Sequence, residues 1–336
     1  MREPAFWWRP ASWMSCALSP VAYVYGSIAA RRMRQAGRRA AVPVICVGSY
    51  HVGGAGKTPT VMALIMMLQA AGETPVVLSR GYGGRLAGPV RVDPARHRAA
   101  DVGDEPLLLA RAAPVIVARD RIAGAEAAHA AGASVIVMDD GFQNPSLHKD
   151  LSLAVIDGGR GVGNACVFPA GPLRAPLAVQ TERTDALVLV GEGGAANGIA
   201  AGLAQRGVPV LRAQIVPEER AVSALQGKRV LAFAGIGDPE RFFQTLRARG
   251  IAVAATVAFA DHHAFTAAEI DRLLAQARAE SLIAVTTEKD LARLRGLPGV
   301  DIAAIRGFPV ALQIDEGAAL AALVRNALAM VRARSA

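Results

Sequence analysis

The sequence predicts an α/β protein: a parallel sheet with flanking helices, a second, smaller α/β unit, and an N-terminal helix associated with a membrane. Three observations carry that expectation. From Val42 onward, short β-branched runs alternate with Ala/Leu-rich helical stretches, the rhythm of βαβ units. A Gly-rich turn ending in Lys-Thr separates the first of these strands from the first helix. Ahead of them, an uncharged apolar run lies between arginine clusters.

The 336 residues are 52% hydrophobic, enough for sizeable cores, which excludes a disordered tail or a disulfide mini-protein. The net charge of +9 rests on thirty-three arginines and only four lysines, Lys57, Lys149, Lys228 and Lys289. Residues 1–40 hold seven Arg against Glu3, a local +6, while the rest carries 30 basic against 27 acidic side chains, or +3. A nucleic-acid surface spreads basic residues over a groove with aromatics between them, whereas here they bracket one stretch. The expected partner is a membrane surface, not nucleic acid.

That stretch, residues 11–30, reads ASWMSCALSPVAYVYGSIAA and has no charge over 20 residues. The length is at the minimum for a span, but four Ser, two Tyr, Gly26 and Pro20 make it less apolar than a good spanning helix. Trp7, Trp8 and Arg9 before it and Arg31, Arg32 and Arg34 after it suit the headgroup level, so residues 1–40 read as an interfacial anchor. A spanning helix and a helix packed on the protein itself are the alternatives. The arginines directly after the run oppose export as a signal peptide. Three widely spaced cysteines, Cys16, Cys46 and Cys166, fit a reducing compartment and place the body in the cytoplasm.

In the body, strands are expected at 42–47, 74–78, 115–117, 134–138, 152–156, 186–190 and 208–212, with helices at 58–71, 105–111 and 121–131. Runs such as Val135-Ile136-Val137-Met138 mark strands buried on both faces. A polar turn at 216–228 precedes a second set: strands at 229–234, 252–257 and 283–286, and helices at 239–249, 266–279 and 318–332. The expected division is a core at 41–220 and a C-terminal unit at 221–336.

The turn Gly48-Ser49-Tyr50-His51-Val52-Gly53-Gly54-Ala55-Gly56-Lys57-Thr58-Pro59 has the strand–loop–helix setting of a Walker A loop, giving a P-loop NTPase-type core. The cradle runs over His51, Val52, Gly53, Gly54, Ala55, Gly56, Lys57 and Thr58. Glycines let backbone N–H groups turn onto phosphate oxygens, Lys57 reaches the β/γ-phosphates of ATP, and the Thr58 hydroxyl suits Mg²⁺. The strict pattern fails at its first position, where His51 replaces Gly. Asp139-Asp140 after the apolar strand supplies a Walker B end, with Asp139 assigned to the metal and Asp140 to its support. On the acceptor side, Asp104 in Val102-Gly103-Asp104-Glu105 is either a helix cap or a functional carboxylate. With the Asp261-His262-His263 cluster it makes a general-base dyad if the fold brings the two together.

In order along the chain stand V-G-S-x-x-x-G-G-x-G-K-T-P (47–59), S-R-G-Y-G-G (79–84), V-G-D-E-P (102–106) and R-D-R-I-x-G-A (119–125). D-D-G-F-Q (139–143), F-P-A-G-P-L-R (168–174), F-A-D-H-H-x-F (259–265) and T-T-E-K-D (286–290) follow. This succession resembles the tetraacyldisaccharide 4'-kinase family of lipid A biosynthesis over nearly the whole chain. The resemblance implies transfer of a phosphate from ATP, with Mg²⁺, to the 4'-hydroxyl of an acylated glucosamine disaccharide 1-phosphate at the cytoplasmic face of the inner membrane, forming lipid IVA. By the same resemblance His262 and Asp104 match the family's catalytic dyad, and Arg80, Arg121 and Arg174 fall in motifs that line its substrate site. Ser49-Tyr50-His51, Asn144 and Ala175 depart from the family's usual Asn-x-Thr, His and Glu; Asn144 is retained among the substrate-binding candidates. The alternative function is a membrane-associated P-loop ATPase or GTPase switch without a lipid acceptor, which leaves Ala260-Asp261-His262-His263 unexplained.

Overall fold

The computed structural model describes residues 3–335, so Arg2 of the N-terminal cluster lies outside the described residues. The elements in order are α1 (Trp13–Met33), β1 (Val44–Gly48), α2 (Lys57–Ala70), β2 (Pro75–Ser79), β3 (Val90–Arg91), α3 (Ala99–Val102), α4 (Asp104–Leu109) and β4 (Val115–Val117). They continue with α5 (Arg121–Ala130), β5 (Val135–Asp139), β6 (Leu151–Asp157), α6 (Leu177–Glu182), β7 (Ala186–Val190), α7 (Asn197–Gln205) and β8 (Val210–Pro217). The rest are α8 (Glu219–Leu225), β9 (Arg229–Ala234), α9 (Pro239–Ala248), β10 (Ala252–Ala258), α10 (Ala267–Ala279), β11 (Ile283–Thr287), α11 (Glu288–Leu294), β12 (Ile305–Phe308), β13 (Val310–Ile314) and α12 (Gly317–Ser335).

Two sheets result. The larger has nine strands in the order β13-β8-β7-β6-β1-β5-β2-β4-β3, parallel except for its two edge strands; the smaller is parallel in the order β10-β9-β11-β12. Every residue of β1, β2, β5, β6 and β7 is buried, which is why these strands read as continuous apolar runs. Alternation along each strand feeds two cores. Ile45, Val47, Val135 and Val137 face α2 and α12, while Val44, Cys46, Ile136 and Met138 face α5, α7 and the end of α1. β1 lies between β5 and β6, and its Val47 pairs in register with Asp139. The phosphate loop and the carboxylate pair therefore emerge side by side at the carboxyl ends of adjacent strands, the usual ligand crevice of such sheets.

The α/β expectation with a smaller parallel unit is borne out, and most element bounds fall within two residues of those expected. The end of the chain departs from the expected division. β13 pairs antiparallel with β8 in the larger sheet, and Leu320, Val324 and Leu328 of α12 pack into the larger sheet's core. The chain thus leaves the larger sheet after β8 and returns at β13.

Along α1, Ala30 and Met33 join the core while Gly26 lies against Val167 and Pro176. Its other face shows Trp13, Val21, Tyr23, Val24 and Ile28 to the outside, Trp13 and Tyr23 each 77% exposed. Among the described residues no helix is long and apolar enough to cross a membrane. This overturns the spanning alternative and leaves a helix that is half packed on the body and half apolar toward the exterior.

Candidate active site

The phosphate loop is shaped by two left-handed glycines, Gly53 at φ +96° and Gly56 at φ +89°, the second capping α2. The first N–H groups of α2 have no partner within the helix and are free to meet an anion. Lys57 is buried and rests its Nζ on Ser49 Oγ at 3.2 Å and the Gly53 carbonyl at 3.3 Å, with Asp140 Oδ1 at 3.9 Å. A desolvated ammonium held by two neutral oxygens and one distant carboxylate is matched to a phosphate. Thr58, the second residue of α2, is half-buried beside it.

The start of the expected cradle is occupied otherwise. Val52 N–H donates to the Pro172 carbonyl at 3.0 Å, and His51 bridges Leu173, so these two residues form a strand-like wall beside the loop. The His51 ring is fully buried, donates from Nδ1 to the Val52 carbonyl at 2.7 Å, and meets the Trp8 ring edge-on at 5.4 Å. Its Nε2 has no hydrogen-bond partner among the described residues. Burial first, then the charges of Lys57, Arg174 and Arg160, push its titration down to about 4, so the ring is neutral. Gly53–Thr58 carry the loop's two left-handed turns and the start of α2.

The two Walker B carboxylates have opposite environments. Asp139 is buried, accepts from Ser79 Oγ at 3.1 Å, and is pushed up to about 7 by burial and then by the nearby Glu105 and Asp140 charges. Asp140 sits at φ +50°, a conformation most residues avoid, and pairs with Arg174 Nη1 at 2.8 Å. Burial opposes its ionisation, but Arg174 and Lys57 outweigh it and hold the carboxyl low. Among the described residues, no three His, Cys, Asp or Glu side chains form a metal cage. The donor set still fits Mg²⁺, which is commonly bound by one or two carboxylates together with substrate phosphates, and the charge repulsion around Asp139 is what a divalent cation relieves.

A second group of charged side chains joins α4 of the larger unit to the loop after β10 and to α11 of the smaller one. Gly103, at φ +93°, turns the chain so that Asp104 opens α4; a Cβ there would lie 2.5 Å from the Tyr82 carbonyl oxygen. Asp104 is buried, and His262 Nδ1 lies 3.3 Å from its Oδ2. Burial opposes ionisation of Asp104, but the His262 hydrogen bond and the Lys289 and Arg293 charges hold it well below the usual carboxylate range. His262 itself sits at φ +55°, with its N–H on the Gly235 carbonyl at 3.1 Å and the Tyr82 ring 5.7 Å away. Beside the pair, Lys289 binds Glu105 at 2.7 Å; burial opposes both charges, and their mutual attraction keeps both ionised.

The arginines divide. Arg174 joins Asp140, with its Nε buried and without a partner among the described residues. Arg121 is buried at the start of α5, where Nη1 donates to the Ala118 carbonyl at 3.2 Å within the field of Asp139 and Asp140. Arg80 is exposed at the end of β2. Asn144 Oδ1 accepts from Ser146 N at 3.0 Å and Ser146 Oγ at 2.7 Å, closing a local turn. The sequence reading missed Arg293, Lys289 and Glu105; the signal available was T-T-E-K-D, which holds one of the four lysines.

A family model described as tetraacyldisaccharide-1-P 4'-kinase (LpxK) matches residues 14–329. The chain belongs to that family. The tetraacyldisaccharide 4'-kinase of Nitrobacter winogradskyi is 61% identical over 334 residues, 99% of each chain. That of Bradyrhizobium diazoefficiens is 62% identical over 99% of this chain and 98% of its own. The crystal structure of the "apo" form of LpxK from Aquifex aeolicus in complex with ATP matches with a TM-score of 0.72 at 27% identity, covering 94% of this chain and 99% of that one. This member of the LpxK family is therefore an enzyme, a kinase, and its α/β fold matches that of the Aquifex aeolicus protein.

Proposed function

We propose that the chain transfers the γ-phosphate of ATP to the 4'-hydroxyl of a tetraacylated glucosamine disaccharide 1-phosphate, giving lipid IVA. The observation that carries this reading is the Asp104–His262 contact at 3.3 Å, made between α4 of the larger unit and the loop after β10 of the smaller one, in a chain that also holds a buried P-loop lysine. A nucleotide switch has no use for a base held in that way.

With Nδ1 turned to Asp104, His262 presents Nε2 to take the proton of the attacking hydroxyl. Asp104 orients the ring and stabilises it once charged. Lys57 and the N–H groups of Gly53–Thr58 hold the β/γ-phosphates, and Arg174, anchored by Asp140, stands ready for charge that develops on the phosphoryl group. Arg80 and Arg121 are the remaining substrate-side cations. Thr58, Asp139 and Asp140 would hold Mg²⁺, whose contribution is neutralisation of phosphate charge.

For the membrane, the exposed face of α1 supplies apolar side chains at interfacial depth, and Arg9, Arg31, Arg32 and Arg34 supply cations for anionic headgroups. This fits a peripheral enzyme at the cytoplasmic face of the inner membrane, reaching a lipid that stays partly in the bilayer. The test is transfer of labelled γ-phosphate from ATP to the purified disaccharide 1-phosphate in detergent. Label recovered in the lipid supports the reading, and inorganic phosphate as the sole product overturns it.

A further inference from the structure

We infer that Arg293 is a positioning residue for the Asp104–His262 pair, acting through the Asp104 carboxylate, an inference that rests on the kinase reading above. Its guanidinium is 8% exposed and all three nitrogens are engaged at once. Nε and Nη2 meet Asp104 Oδ2 at 2.7 and 2.5 Å, while Nη1 meets Asp290 Oδ1 at 2.7 Å and the Gly235 carbonyl at 2.6 Å. Nη2 also lies 3.4 Å from His262 Nδ1.

The holding side of this fork is rigid. Asp290 is fully buried and accepts from Gly235 N at 3.0 Å and Thr287 Oγ1 at 2.7 Å. The same Gly235 carbonyl that takes Arg293 also takes the backbone N–H of His262 at 3.1 Å. One platform at the end of β9 therefore fixes both groups that reach across to a single oxygen of Asp104. A planar fork suits this arrangement because it meets two opposed partners without a rotatable bond between them. Adhesion of α11 to α4 and the turn that follows it has other means, since Lys289 binds Glu105 at 2.7 Å and Arg111 binds Glu288 at 2.6 Å.

The chemical consequence concerns which group carries the proton. A carboxylate that shares its oxygen with a guanidinium stays ionised, so the proton from the acceptor hydroxyl rests on His262. The charged or titratable groups around Asp104 are Arg293, Lys289 and Asp290 from α11, His262 and Asp261 from the loop after β10, Glu105 from α4, and Tyr82 from the loop after β2. Loss of Arg293 leaves Lys289 as the remaining nearby cation, already bound to Glu105.

The experiment measures kcat, KM for ATP and the pH profile of phosphate transfer for Arg293→Gln and Arg293→Lys, each in the native and Asp104→Asn backgrounds. In the native background Arg293→Gln should lower kcat by about 10- to 100-fold, leave KM within about twofold, and move the acidic limb to higher pH. Arg293→Lys, which keeps the charge without the fork and carries the test if the Gln variant does not fold, should restore the limb but only part of the rate. In the Asp104→Asn background both should cost less than about threefold, because the partner through which Arg293 acts is gone. Equal losses in the two backgrounds, or a rise in KM with an unmoved limb, would overturn the assignment. Absence of lipid phosphorylation by the native enzyme would instead remove the kinase reading on which it rests.

Discussion

Replacing His51 by Thr isolates the energetic cost of keeping a neutral imidazole behind the phosphate loop. In the unfolded chain the ring takes a proton near its ordinary value of about 6.5. In the fold its titration falls to about 4, first because the ring is buried and then because the charges of Lys57, Arg174 and Arg160 oppose a protonated imidazole. A histidine whose folded value is depressed contributes its full stability above about pH 6.5 and loses it as the pH falls towards 4, where only the unfolded state readily binds the proton. The linkage relation makes this loss about 2 kcal/mol at pH 5 and about 3 kcal/mol at pH 4. Urea unfolding followed by tryptophan fluorescence, in which Trp8 lies 5.4 Å from the ring, reads both proteins at pH 7.5 and pH 5. Carboxylates titrate alike in the two, so the native protein should lose about 2 kcal/mol more than His51→Thr over that interval. Parallel stability profiles would refute the reasoning.

Gly103→Ala should lower stability by about 1–3 kcal/mol and reduce turnover as well, because a Cβ at φ +93° would press on the Tyr82 carbonyl and displace Asp104; melting temperature and kcat check both. At pH 8 a thiol reagent should modify exposed Cys16 promptly and leave Cys46, buried and pushed up to about 11, untouched until urea is added, as mass spectrometry of the labelled chain would show. Changing Trp13, Tyr23 and Ile28 together to Ser should weaken binding to anionic vesicles by about 10-fold or more in a flotation assay, with melting temperature unchanged, since all three side chains face outward.

The legible parts of this fold are those whose signal is local. β5 and β7 announce themselves because both faces are buried, and the phosphate loop because glycines, a lysine and a strand–helix junction stand in one short run. α12 was legible as a helix and β13 was not expected as a strand, but the home of neither could be read: joining β8 and the larger core is a tertiary choice that no period of hydrophobicity records. Short pieces such as α6 and α8 carry too few turns to show a face. In the site, Asp104 and His262 stood out as residue types in Gly- and His-rich settings, but their meeting depends on α4 and the loop after β10 closing from different sheets. Arg293 was invisible for a simpler reason, being one of thirty-three arginines and named only by its contacts. Asn144 was named by its position within a motif, and its local turn with Ser146 was not legible there.

The return of the chain to the larger sheet has a consequence for how the molecule can be taken apart. Pro217 and Val310 are paired residues, and the Glu218 N–H donates to the Pro309 carbonyl at 3.1 Å, so the outgoing and incoming strands are neighbours. Everything between them is a single insertion entering and leaving through one doorway, the arrangement in which excision with a short splice leaves the host sheet continuous. The excised host keeps Lys57, Asp139 and Asp140 but lacks His262 and Arg293. Asp104 stays with the host as well, so the Asp104–His262 pair is divided between host and insertion, and the contacts of Arg293 with Asp104 and of Lys289 with Glu105 join the two beyond that one pair of strands.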